Sequence, residues 1–301
     1  MKQKTIRLFN RQKFLLKFLV SLGGRCSNLD YQKLLFMYSI EGGKELTYDF
    51  VPYKYGAFSY TCYADIRKLI ELGFIQNIQN VWQITKSGRS YVGNSDDLWL
   101  RNYLDQHQER GDDLMRKTYV RYPYFAQNSV IAEKILSSDQ ITLKNIRSEK
   151  RNGADKTVFT IGYEGLPIES YINRLIQSGV TILVDVRRNP ISRKYGFSKS
   201  ILSQIATDMG IVYLHIPELG IASSHRMNLI EQEDYDRLFE AYSTEWLPSQ
   251  GDSINKLINS IDDGQHLAIT CYEKDYRQCH RSYLAIWLRK DLPGDYRIEH
   301  L

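Results

Sequence analysis

Four apolar runs in the second half of the chain each end in polar side chains able to do chemistry. Gly162-Tyr163-Glu164-Gly165 follows the first run, and Asp185, Arg187, Ser192 and Arg193 follow the second. His215 closes the third, and the fourth leads through Cys271 and Glu273 to Cys279, His280 and Arg281. Asp185, Glu273 and Glu164 can act as general acid or base or stabilise a developing cation, and Tyr163 joins them as a candidate catalytic residue. Arg187, Arg193 and Arg281 offer planar forks for phosphate or carboxylate, with Arg281 also beside an expected helix N-terminus. Ser192, His215, Cys279 and His280 complete the expected substrate- and phosphate-binding rim. This mixture suits a nucleotide-like ligand, and carboxylates with arginines suit hydrolysis of an N-glycosidic bond better than metal-dependent phosphodiester cleavage.

Two other chemistries are expected to be absent. Cys271 and Arg277 have the spacing of phosphatase and rhodanese-like loops, but Glu273 and Asp275 lie between them and are expected to raise the thiol pKa. Cys271, Cys279, His280 and His215 offer zinc donors, yet adjacent Cys279 and His280 on a helix would point about 100° apart. Neither a metal nor a cofactor is expected.

The elements carrying these residues alternate. Strands are expected near 157–161, 180–186, 211–215 and 265–271, with helices near 167–178, 198–209, 235–243, 253–261 and 279–289. That order predicts an α/β domain with a mainly parallel, Rossmann-like sheet, helices on both faces and a ligand at the carboxyl ends of the strands. A charged, glycine-containing stretch at 147–156 places the seam near 152, giving domains 1–150 and 151–301. Within the second domain TIGYEG, VDVRRNPISRKYGFSKSIL, GIVYLHIPELG and CYEKDYRQCHR resemble, in order, the motifs of domain of unknown function family 488 over about 157–300. Tyr163 and Glu164 stand where members commonly have TIGHS. The resemblance implies one α/β domain whose loops form a single pocket, without assigning a reaction.

The first half is expected to hold helices at 11–22, 29–39 and 60–72, then two short strands near 74–76 and 81–85 and a helix from 85. Its segment 65–88 resembles the third helix and wing of the winged helix-turn-helix superfamily. That resemblance implies duplex DNA as partner, with Lys86, Arg89, Lys68 and Arg67 on phosphates. Charge agrees: residues 1–150 hold 23 Lys and Arg against 15 Asp and Glu, while residues 151–301 hold 17 against 20. The aromatic stretch 119–125 offers base stacking or simple packing.

At 301 residues, 43% apolar and 25% charged, the chain excludes global disorder and fibrous architecture. No run of about 18 apolar residues spans a membrane. The basic N-terminus is interrupted by Lys17 and lacks a clean cleavage site, and four cysteines are too few for a disulfide scaffold, so a cytoplasmic location is expected. Together these readings point to a DNA-binding enzyme, a glycosylase-like hydrolase of foreign-DNA defence or repair. The alternative is a non-catalytic winged-helix regulator whose α/β domain senses a nucleotide-like ligand. Oligomeric state is not encoded in any of these features.

Overall fold

The computed structural model describes residues 7–42, 48–93, 97–151, 156–226, 229–262, 266–292 and 294–301. Part of the expected seam (152–155) and Gln265 of the expected fourth strand lie outside the described residues. The chain divides into two compact units, Met1–Glu149 and Lys150–Leu301.

The first unit opens with α1 (Asn10–Ser21), β1 (Arg25–Ser27) and α2 (Asn28–Ile40), where the Ser27 hydroxyl accepts from Asp30 N to cap α2. A short hairpin, β2 (Val51–Tyr53) and β3 (Gly56–Phe58), precedes α3 (Tyr60–Glu71). β4 (Ile75–Ile78) and β5 (Val81–Ile84) pair through a tight turn in which Gln79 and Asn80 both adopt positive φ. β5 is the centre of a three-stranded antiparallel sheet, β1–β5–β4. Five further helices follow: α4 (Lys86–Val92), α5 (Leu98–Asp105), α6 (Gly111–Arg121), α7 (Pro123–Ala126) and α8 (Ala132–Ile135); α9 (Gln140–Ser148) closes the unit. An aromatic cluster of Phe14, Phe18, Tyr31, Tyr38 and Trp82 fills the core; Phe18 meets Tyr31 and Tyr38, and Tyr31 meets Trp82, edge to face, with Phe14 tilted against Phe18 and Tyr38. In the stretch 119–125, Tyr119 is buried and Tyr122 and Phe125 pack against Phe36, while Val120 and Arg121 are exposed.

The second unit is α/β. Its strands are β6 (Thr157–Gly162), β7 (Ile182–Asp185), β8 (Val212–His215), β9 (Leu267–Cys271) and β10 (Arg297–His300). They form one parallel sheet in the order β10–β6–β9–β7–β8. α10 (Ile168–Gln177) follows β6 and buries Ile168, Tyr171, Ile172 and Leu175, one stripe at helical spacing. Further helices are α11 (Lys199–Asp208), α12 (Gln232–Ala241), α13 (Gly251–Asp262) and α14 (His280–Asp291).

Strand alternation sends successive side chains to opposite faces. Val184 and Ile269 are in register and share a core with Leu257 of α13 and Leu284 and Leu288 of α14. One residue on, Asp185 pairs in register with Thr270, which accepts a hydrogen bond from Tyr171 of α10 at 2.8 Å. Cys271 returns to the α14 face. Helices therefore cover both faces, and the carboxyl edge of the sheet receives side chains from each.

Candidate functional site

A cavity of about 460 Å³ lies at that carboxyl edge. Tyr163 and Arg187 line it from the α10 side, Cys271 from the α14 side, and Tyr272 beside them. The loop after β7 adds Arg188, Ser192 and Arg193, and the segment after β8 adds Arg226. Four arginines among the described residues thus border one cavity, and no carboxylate is among its described lining residues.

On the α10 side the charges are locked. Asp185 is fully buried, and Arg187 donates to it from Nε at 2.8 Å and from Nη2 at 2.5 Å. Tyr213 donates to the same carboxylate at 2.5 Å. Arg187 Nη1 donates to Tyr163 OH at 3.0 Å and to Phe197 O at 2.8 Å, and the Tyr163 ring stacks on Phe197 at 4.3 Å. Burial opposes the charge on Arg187, but the Asp185 carboxylate outweighs it and keeps the guanidinium firmly protonated. Both oxygens of Asp185 are thus engaged by Arg187 and Tyr213, and Arg187 has little donor capacity left for a ligand.

On the α14 side, Arg226 pairs with Glu273 and donates from Nη2 to His280 Nδ1 at 2.8 Å. Among the described residues, Glu273 Oε2 and Arg226 Nε are buried without hydrogen-bond partners. Burial, together with the neighbouring Cys271, raises the Glu273 pKa. The Cys271 thiol moves the other way: a hydrogen bond from Cys279 lowers it most, and His280 and Arg226 add to this against burial. The Cys279 thiol is raised, first by burial and then by the neighbouring Cys271. This reverses the expectation that an acidic loop would raise Cys271: Cys279, His280 and Arg226 favour the thiolate, while Glu273 pairs with Arg226 and Asp275 with Arg277 at 2.8 Å.

The expected crevice shared by Asp185, Glu273, Arg193 and Arg281 does not exist. Only Arg193 of the four lines the cavity; Asp185 is engaged by Arg187 and Tyr213, and Glu273 by Arg226. Arg281 is not a phosphate clamp: it is buried and donates to Glu273 O at 2.6 Å and Lys274 O at 3.2 Å, holding the loop after β9. Glu164 Oε2 accepts from Lys274 N at 3.0 Å, fastening the same loop to the one after β6. Gly162 permits this close approach, since a Cβ there would stand 1.8 Å from Glu273 O. His215 contacts Lys199 at 2.9 Å and Arg187 O at 3.0 Å instead of the cavity. Cys279 and His280 are fully buried behind Cys271.

Arg226 and Tyr272 are lining residues that sequence reasoning missed. Arg226 lies in a short turn outside any apolar run, where periodicity carries no signal. In the first unit, Arg67, Lys68, Lys86 and Arg89 are all exposed, and Lys68 pairs with Glu71 at 3.0 Å.

Residues 167–288 match the family described as Domain of unknown function DUF488. No curated protein and no solved structure matches the chain.

Proposed function

Taking the second unit as a DUF488 domain, we propose that it binds a phosphate-bearing, nucleotide-like ligand in the arginine-lined cavity and hydrolyses it. The observation that carries this reading is the concentration of Arg188, Arg193 and Arg226 around one cavity at the carboxyl edge of a parallel sheet, where such folds bind ligands. Ser192 adds a hydroxyl, and half-exposed Tyr272 adds a ring on which a base can stack. Cleavage of an N-glycosidic bond in DNA remains the favoured reaction. Glu273 rather than Asp185 is the candidate proton carrier in this reading: it pairs with Arg226, which lines the cavity, and its Oε2 has no hydrogen-bond partner among the described residues, while both oxygens of Asp185 are engaged.

The first unit is read as a winged-helix DNA-binding domain. Helices α1, α2 and α3 with the sheet β1–β5–β4 support it, as do the β4–β5 hairpin as wing and exposed basic residues on α3 and α4. Duplex DNA is then the partner, and a role in foreign-DNA defence or repair in the cytoplasm follows as part of the same proposal.

A non-catalytic nucleotide sensor is the second reading, and the absence of a carboxylate among the described lining residues favours it. Incubating the full chain with plain and base-modified duplexes, then analysing released bases and strand breaks, separates the two. Released base without strand breaks supports the glycosylase, strand breaks favour phosphodiester cleavage, and binding without product favours the sensor.

A further inference from the structure

We propose that Cys271, Cys279 and His280 bind a divalent metal ion of the zinc class at the edge of the arginine-lined cavity. Their two sulfurs and one imidazole nitrogen all lie within 4.8 Å of one another, and all three residues are buried. His280 Nδ1 is 3.9 Å from Cys271 Sγ and 4.0 Å from Cys279 Sγ. Donors sharing one tetrahedral zinc, at about 2.0–2.3 Å each, stand roughly 3.5–3.8 Å apart. The two nitrogen-to-sulfur distances need to contract by only a few tenths of an ångström, and the two sulfurs lie within 4.8 Å of each other.

Backbone geometry explains why adjacent residues converge. Cys279 is not helical: it is the extended residue before α14, with φ −141° and ψ 133°. The 100° separation expected of neighbours on a helix does not apply to it, and its sulfur and the first imidazole of α14 turn toward the end of β9.

The imidazole is also in the ligating tautomer. Arg226 Nη2 can only donate, so Nδ1, 2.8 Å away, must accept. The ring proton then sits on Nε2, which faces Val186 O at 3.4 Å. A ring with Nδ1 near two sulfurs and its opposite nitrogen against a backbone carbonyl is the arrangement metal-bound histidines adopt. A cationic guanidinium already rests against Nδ1, so the pocket is built to face positive charge. On metal binding, Arg226 yields Nδ1 to the ion and keeps its pairing with Glu273. The two thiols release their protons to solvent, and two thiolates balance the doubly charged ion, so no net charge is buried.

Thiolate and imidazole donors select zinc-like ions over magnesium or calcium. Three protein ligands leave a fourth position, the pattern of catalytic rather than structural zinc. Cys271 is the ligand that lines the cavity, so the fourth position belongs to a water or ligand group from there. The metal site does not depend on the hydrolase reading, and it supplies that reading with a water activator if both hold.

The test is anaerobic titration of the reduced, chelator-treated full chain with Co²⁺. The expected result is a thiolate-to-cobalt charge-transfer band and tetrahedral d–d bands, saturating at about one equivalent and displaced by Zn²⁺. Cys279→Ser should weaken binding by at least about 100-fold, His280→Gln should shift the d–d bands, and Cys26→Ser should change nothing. Wild-type protein with all four thiols titrating as reduced but no saturable band would overturn the proposal. So would a band that survives both Cys279→Ser and His280→Gln unchanged.

Discussion

At the scale of single residues, Asp185 and Arg187 hold each other through two side-chain hydrogen bonds, so that both carboxylate oxygens are engaged inside the second unit. Asp185 stood out because a carboxylate ends an apolar run, yet the same position lets Arg187 fold back two residues and saturate it. Sequence shows that an acid and an arginine are near; it does not show whether they face each other or a ligand. Asp185→Asn should therefore act on stability, leaving a buried guanidinium half-paired and destabilising the second unit by about 3–5 kcal/mol in a denaturant titration. A folded, fully stable variant with turnover lost would return Asp185 to catalysis. Arg193 is exposed at the cavity rim and free of such duty in the hydrogen bonds described above, so Arg193→Ala should weaken binding of a nucleoside monophosphate by about 10–100-fold without changing the unfolding midpoint.

At the scale of elements, long periodic segments were legible and short ones were not. α10 shows its buried stripe directly, and β6, β7 and β9 read as apolar runs because a parallel sheet covered on both faces needs them. β10 has only one half-buried residue among three exposed ones, so its pairing with β6 rests on backbone hydrogen bonds that leave no hydropathy signal. The three-residue strands β1, β2 and β3 are hidden for another reason: β2 and β3 are mostly buried, but three residues are too few to show a period. A buried charge on α2 was equally hidden. Lys33 is fully buried, donates to Ala57 O at 2.7 Å, and burial lowers its pKa to about 7. An unfolded lysine keeps its proton to about pH 10.4, so above pH 7 the unfolded chain binds the extra proton and stability rises with pH. Urea unfolding at pH 7 and pH 9 should show the wild type gaining on Lys33→Met by at most about 1.4 kcal/mol per pH unit. Parallel pH dependences of the two proteins would refute the buried-charge account.

At the scale of the whole molecule, the division into an all-antiparallel, helix-rich unit and an α/β unit follows the change in composition near residue 150, and the charge asymmetry follows it too. The proposed DNA contacts belong to the basic unit. Full-length protein should bind duplex DNA with affinity falling steeply with salt, and Lys86→Ala with Arg89→Ala should weaken it alike for all sequences and flatten the salt dependence by about two phosphate contacts. Mobility shifts over a salt series check this, and no binding even at low salt would remove DNA as the partner.

The central claim is that the cavity of the second unit recognises a nucleotide through its phosphate. Calorimetric titration of the full chain with a deoxynucleoside monophosphate and with the matching nucleoside tests it most directly. The account predicts that the phosphate improves affinity by at least about tenfold and that Arg193→Ala together with Arg188→Ala abolishes this advantage. Equal affinity for nucleoside and nucleotide, or an advantage untouched by the two substitutions, would contradict it.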